Sequence, residues 1–230
     1  MKISVVVQAK NEEKYLPICL NALRKQLLRP EIVVVYGPSN DRTVQIAKKL
    51  ADKVVFDHGK GFTPARNMGW KAATGDIVAY CDADAVPNKD WTARIAKHFT
   101  NPMLLALSGP LILSGKSSLN IRLAFKMWAE LFPDFWALMG HNNIWGANMA
   151  FRRSILKKFP FNAKFLEDYD IGRRLRRHGF KRQIKFDRHF KMPASDRRFK
   201  RSFYRTAIKY YAINWLRINF NRQAKGYLKA

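Results

Sequence analysis

The chain has 230 residues, 47% of them hydrophobic, which is enough for a sizeable core and excludes wholesale disorder. Its 43 Lys and Arg against 17 Asp and Glu give a formal net charge of +26, so it calls for a polyanionic neighbour: nucleic acid, an anionic bilayer or a phosphorylated substrate. The apolar start at residues 3–7 is too short for a signal peptide, and the longest uncharged stretches, residues 99–115 and 135–151, are broken by Pro, Gly, Asn or His, so neither a leader nor a transmembrane helix is expected.

Strand and helix signals alternate through the first half. β-Branched runs at residues 2–8, 32–36, 53–56 and 76–81 predict four strands buried on both faces. Between them, residues 12–27 place Leu16, Leu20, Leu23 and Leu27 on one helical face, and residues 43–50 and 64–73 supply two more helices. This alternation predicts an α/β fold with a mainly parallel central sheet flanked by helices, whose ligands lie at the carboxyl ends of the strands. Cys19 and Cys81 each fall in an apolar run and read as buried hydrophobes, not as a disulfide or metal pair; a reducing, cytoplasmic compartment follows.

The second half is less regular. Short strands are expected at residues 104–107, 111–113, 148–152 and 181–186, and a helix at residues 168–178 that stops at Gly179. Ile121, Phe125, Trp128, Phe132 and Phe135 follow the four-three spacing of a helix face. From Arg197 onward there is no acidic residue. Arg201, Arg205 and Lys209 recur every fourth position beside an apolar stripe of Tyr204, Ile208, Tyr211, Trp215 and Ile218, which predicts a basic amphipathic C-terminal helix suited to an anionic membrane surface. The organisation expected is one domain over residues 1–196, in two halves (1–100 and 101–196), followed by the basic segment 197–230.

The most informative stretch is Asp82-Ala83-Asp84, where a buried strand ends in two carboxylates separated by one small residue. Two such charges repel and call for a cation, and hard oxygen ligands suit Mg²⁺ or Mn²⁺. Such an ion commonly completes its shell with phosphate oxygens, so the pair predicts a diphosphate ligand.

At this point the sequence resembles the family 2 glycosyltransferases with the GT-A fold. Val5-Val6-Val7-Gln8-Ala9-Lys10-Asn11-Glu12-Glu13 is similar to the family's opening strand and loop, and Gly37-Pro38-Ser39-Asn40-Asp41-Arg42-Thr43 to its second strand-end loop. Gly61-Phe62-Thr63-Pro64-Ala65-Arg66-Asn67, through Gly75-Asp76 to Asp82-Ala83-Asp84, resembles its run into the Asp-x-Asp motif. Gly146-Ala147-Asn148-Met149-Ala150-Phe151-Arg152 and then Glu167-Asp168-Tyr169-Asp170 resemble its acceptor-side strand and catalytic acid.

The resemblance implies an inverting transfer of a hexose-type sugar from a nucleotide-diphosphate sugar donor to an acceptor glycan or lipid-linked acceptor, in one metal-assisted displacement. By position, Asp84 and Asp82 would hold the metal, Asp168 would be the general base, and Glu167 would orient that site or bind acceptor. Donor contacts would come from Ala9, Asn11, Glu12, Tyr36, Asp41, Arg66, Asp82 and Ala83, with Asn148 touching donor or acceptor. His141, His178 and His189 are candidate third metal ligands, and Arg197-Arg198 either close over the leaving diphosphate or form a solvated basic loop. A helix N-terminus lowers a carboxylate's pKa, so Asp168 is expected to be ionised at neutral pH. One departure concerns the nucleobase: the family often has an acidic residue after its second strand, where this chain has Tyr36 and Gly37. Competing classes are a nucleic-acid or polyanion binder, which the missing zinc-finger and RNA-recognition signatures disfavour, a glycoside hydrolase using Asp84 and Asp168, and a catalytically degenerate member of the same fold.

Overall fold

In a computed structural model of the chain, the residues described are 1–59, 61–115, 117–130, 144–162 and 166–197. The predicted C-terminal helix, Phe132, Phe135, His141 and Arg198 lie outside them.

In chain order the elements are β1 (Ile3–Ala9), α1 (Leu16–Arg24), β2 (Glu31–Tyr36), α2 (Thr43–Leu50), β3 (Lys53–Phe56), α3 (Phe62–Ala72), β4 (Ile77–Asp82) and α4 (Trp91–Phe99). Then follow β5 (Ala106–Ser108), β6 (Leu111–Ser114), α5 (Leu119–Glu130), β7 (Asn148–Arg152), α6 (Arg153–Lys158), α7 (Glu167–Arg177), β8 (Ile184–Phe186) and β9 (Met192–Ser195). Seven strands form one sheet in the order β3-β2-β1-β4-β7-β5-β8; β6 and β9 make a separate parallel pair. The first four strands are mutually parallel, β7 runs against both β4 and β5, and β8 is parallel to β5. The sheet is therefore mainly parallel, with β7 alone reversed.

Two apolar layers sandwich the sheet, because its strands alternate faces. Val5, Val7, Ile32, Val34 and Ala79 pack under α1 and α4, whereas Val6, Val33, Val35, Val78 and Tyr80 pack under α3, α6 and α7. Gly69 lets α3 cross close to the sheet: a Cβ there would stand 2.3 Å from Val6 Cγ1. Cys19 on α1 and Cys81 on β4 are both buried with their sulfurs 3.8 Å apart and no disulfide between them. The hydrogen bond with Cys19, and then burial, push the Cys81 thiol up, so it stays protonated and behaves as a core side chain.

Three expectations shift in detail. Helix α1 stops at Arg24 instead of reaching Leu27, which is 74% exposed, because Gln26 turns inward to donate to the carbonyls of Ala22 and Asn88 and to accept from Thr92. The stretch 181–186 opens with a 3₁₀ turn, Lys181–Gln183, and only Ile184–Phe186 is strand. On α5, Phe125 and Ala129 face inward, and the outward face carries Leu119, Leu123 and Met127, which are 69%, 50% and 56% exposed.

The chain order fixes where a ligand can sit. From β1 the sheet grows outward through β2 and β3 on one side and through β4 on the other, so the crevice opens beyond the carboxyl ends of β1 and β4, where Gln8 pairs with Asp82.

Candidate active site

Three loops line the crevice on the β1–β3 side, and their own hydrogen bonds hold them together. Asn11, at φ 55°, turns the chain after β1; its N–H donates to Ser39 Oγ (3.1 Å) and its Oδ1 accepts from Asn40 N–H (3.0 Å). Glu12 N–H donates to Thr43 Oγ1 (2.7 Å), and Glu13 N–H to Asp41 Oδ2 (3.1 Å). Asp41 also accepts the N–H of Thr43 (2.9 Å), the first residue of α2. Burial would raise its pKa, but the hydrogen bonds from Thr43 and Glu13 outweigh this and hold the carboxyl below its usual range. Asp41 is thus committed to binding the two loops to each other. Ala9 is buried at the end of β1, and its carbonyl accepts Gly37 N–H (3.0 Å). Tyr36 closes β2 with its ring 5.3 Å from that of Phe56, which in turn lies 4.5 Å from His58.

The Asp-x-Asp turn follows β4. Ala83 is buried, Asp82 is partly buried and Asp84 is 8% exposed. The turn is fastened to β9: Asp84 O accepts Ser195 N–H (3.1 Å), and Val86 N–H donates to Pro193 O (2.9 Å). On its side chain, Asp84 Oδ2 stands 2.8 Å from Arg197 Nε. No group of three or more His, Cys, Asp or Glu side chains able to hold a metal occurs among the described residues. Asp82 and Asp84 supply carboxylate oxygens of the kind a hard cation takes, and Asp84 already engages one positive charge, that of Arg197. Among the described residues neither His178 nor His189 completes such a group, and His178 Nδ1 lies 2.9 Å from Arg174 O at the end of α7.

On the other side, Leu166 at φ 50° turns the chain into α7, presenting Glu167 and Asp168 at its start. Glu167 is buried, and its Oε1 accepts from Arg66 Nε (2.7 Å). Arg66 is itself 4% exposed; Nη1 donates to Gly146 O (3.0 Å), and its guanidinium lies over the rings of Tyr80 (5.3 Å) and Phe161 (5.9 Å). Burial would lower its pKa, but the charges of Glu167, Asp82 and Asp168 outweigh that, so it stays charged. Asp168 accepts Gly146 N–H on Oδ2 (2.8 Å) and Tyr169 N–H on Oδ1 (2.8 Å). Gly146 has no room for a side chain, since a Cβ would stand 2.5 Å from Arg66 Nη2 and 3.0 Å from Asp168 Oδ2.

Burial, and then the Glu167 charge beside it, push the Asp168 carboxyl up to about 6, against the opposing pull of Arg66 and the two N–H donors. The helix N-terminus was expected to lower it, and burial overrides that effect. At neutral pH the group is still mainly ionised, and it binds a proton far more readily than an exposed aspartate does.

Residues 4–159 match the family model described as Glycosyl transferase family 2. The chain belongs to that family. An uncharacterized glycosyltransferase of Nostoc sp. is 29% identical over 175 residues, 70% of this chain and 54% of its own length. TarS of Staphylococcus aureus, a poly(ribitol-phosphate) β-N-acetylglucosaminyltransferase, is 34% identical over 122 residues, 47% of this chain and 21% of that protein. A crystal structure of its residues 1–349 with UDP-GlcNAc superposes with a TM-score of 0.60 at 25% identity, over 75% of this chain and 52% of the other. The glucosyl-3-phosphoglycerate synthase of Mycobacterium tuberculosis, in a structure with Mn²⁺, UDP-glucose and phosphoglyceric acid, shares the fold with a TM-score of 0.67 at 19% identity, over 98% of this chain and 82% of that one. The chain thus spans about half the length, or less, of the first two relatives.

Within this family 2 framework two of the predicted donor contacts have partners inside the protein. Arg66 directs Nε to Glu167 and Nη1 to Gly146. Asn148 is fully buried, accepting Trp91 Nε1–H (3.0 Å) and donating to Phe190 O (2.6 Å), and so ties β7 to α4 and the segment before β9. Asp57 is a residue the sequence reading missed. It is buried at the end of β3, with Oδ1 accepting Gly59 N–H (2.7 Å), and a Cβ on Gly37 would lie 3.2 Å from it. An acidic side chain therefore does stand beside the second strand-end loop, supplied by the next strand; its position directly after the run Lys53–Phe56 was the available signal.

Proposed function

We propose that the protein is an inverting glycosyltransferase that moves a hexose-type sugar from a nucleotide-diphosphate sugar to a hydroxyl acceptor by single displacement. The observation that carries this reading is the pairing of two environments on one crevice. The Asp82–Asp84 carboxylates stand at the switch point between β1 and β4, and Asp168 stands at the head of α7 in surroundings that raise its basicity. The UDP-GlcNAc held by the TarS structure supports a nucleotide-sugar donor for the shared fold. Mg²⁺ or Mn²⁺ held by Asp82 and Asp84 would supply positive charge to the departing diphosphate. The laced loops after β1 and β2, through Asn11 and Glu12, would form the donor's bed, with Tyr36 offering its ring to the base. Asp168 would take the acceptor's proton as its oxygen attacks the anomeric carbon, while Glu167 keeps Arg66, and through it Gly146 and Asp168, in place.

The test is calorimetric titration of UDP-, GDP- and dTDP-sugars, with and without Mn²⁺, into wild type and Asp84→Ala. Metal-dependent binding of one donor, lost in the variant, is the expected result. A folded protein that binds none of them with Mn²⁺ present would return the chain to the degenerate or polyanion-binding class.

The acceptor side is read as facing an anionic bilayer on its cytoplasmic surface, which suits a lipid-linked acceptor. Leu119, Leu123 and Met127 form an exposed apolar stripe on α5, flanked by exposed Arg122 and Lys126, and the chain's charge of +26 complements acidic headgroups. No described helix is long and apolar enough to cross a membrane, so contact would be peripheral. Replacing both Leu123 and Met127 by glutamate should lower co-sedimentation with phosphatidylglycerol vesicles by about tenfold or more, given the transfer energies of two apolar side chains. Undiminished co-sedimentation would remove α5 from the membrane surface.

A further inference from the structure

Arg197 makes a set of contacts that the proposed transfer does not use. It lies two residues beyond β9 and folds back over the crevice. Nη1 donates to Glu12 Oε2 (2.9 Å), Nη2 donates to Glu12 Oε1, and Nε stands 2.8 Å from Asp84 Oδ2. Its Cζ also lies 4.7 Å from the centre of the Tyr15 ring. The carboxylates it joins are well covered, with side-chain exposures of 12% for Glu12 and 7% for Asp84. Burial would lower the arginine's pKa, but Glu12 and Asp84 outweigh this and keep it charged. The segment that carries it is fastened too. Asp196 is 3% exposed, its N–H donates to Ser114 O (3.3 Å), and its Oδ2 accepts Ser117 Oγ–H (2.6 Å).

We propose that Arg197 is a built-in counter-ion for Asp84, which a divalent cation must displace, so that Arg197 sets the metal affinity of the donor site. This rests on the function proposed above, since the metal is part of it. A carboxylate oxygen engaged by a guanidinium N–H loses that bond when a hard cation takes the same oxygen at about 2 Å. Metal alone therefore has to break a partly buried, charge-assisted contact with nothing to offer the arginine in return. A nucleotide diphosphate arriving with the metal brings acceptor oxygens of its own, which lowers the cost of that release. The consequence is a site that takes metal weakly by itself and well together with nucleotide.

The test is calorimetry of MnCl₂ alone, then of MnCl₂ with UDP, into the full chain as wild type, Arg197→Gln, Arg197→Met and Asp84→Asn. Arg197→Met keeps a side chain of similar length against the Tyr15 ring and leaves Glu12 and Asp84 in place, so it carries the test even where Arg197→Gln folds poorly by circular dichroism. Both Arg197 variants should bind Mn²⁺ alone about tenfold tighter than wild type, and the gain that UDP gives should shrink by a similar factor. Asp84→Asn should lose binding. Equal Mn²⁺ affinity in wild type and both Arg197 variants, with loss only in Asp84→Asn, overturns the counter-ion role and leaves the proposed function standing. No Mn²⁺ binding by any of the proteins, with or without UDP, overturns both.

Discussion

Replacing Asp168 by asparagine is expected to lower turnover by about a thousand-fold, the scale of a lost general base, with donor affinity within a few-fold of wild type. Asparagine keeps the shape and one acceptor oxygen for the N–H groups of Gly146 and Tyr169, but it cannot take a proton. In the wild type, kcat/KM should rise with pH and level off above an apparent pKa of about 6, because only the ionised carboxylate accepts the acceptor's proton. The same shift acts on stability with the opposite sign. The folded state holds a proton that the unfolded chain, at 3.8, has released, so this group's contribution is present below that value and is lost as pH rises through about 6. Activity is gained over the window in which the carboxylate costs the fold something. A pH–rate profile that is flat from about pH 5 to 8, or an asparagine variant with near-normal turnover, would take the base role away from Asp168.

Local chemistry was legible in the sequence, and long-range partnership was not. The β-branched runs marked β1, β2 and β4 because strands buried on both faces carry no alternation to confuse the pattern, whereas β3, expected to be buried likewise, is an edge strand with Lys53 and Phe56 exposed; Leu16, Leu20 and Leu23 are all fully buried on α1 as their spacing requires. Asp82 and Asp84 were recognisable because a strand end places them, and Glu167 and Asp168 because they open a helix. Helix α4 escaped notice although Trp91, Ile95 and Phe99 repeat every fourth residue and are all buried, since two turns of helix give a short and weak stripe. Strand β9 was missed because Pro193 argues against a strand; it is tolerated because the N–H groups of Met192 and Asp196 donate toward β6, and the Pro193 nitrogen faces the other side. The partners of Arg66 and Arg197 lie 101 and 185 residues away in Glu167 and Glu12, and nothing in either arginine's neighbourhood announces them.

Arg66→Met is the substitution expected to harm the fold most. It would leave the buried Glu167 without its partner at 2.7 Å and would remove the charge that Asp82 and Asp168 also feel. Breaking such a pair from one side costs about 3–5 kcal/mol, because an uncompensated charge remains in a poorly solvated place. The loss should appear as a lower urea midpoint with an unchanged slope. Removing the arginine also removes a charge that holds the Asp168 proton affinity down, so any activity that survives should show its acid limb at higher pH than wild type. Arg66→Lys separates the two effects. Lysine restores a positive charge but cannot reach Glu167 Oε1 and Gly146 O with one planar fork, so it should recover part of the pH profile and less of the geometry. The double change Arg66→Met with Glu167→Leu discriminates further. If the pair matters for stability only as mutual compensation, removing both partners should recover most of what Arg66→Met loses, while turnover stays low because Gly146 and Asp168 are no longer held against a fixed cation. Full activity in the double variant would show that the ion pair neither positions the base nor tunes it.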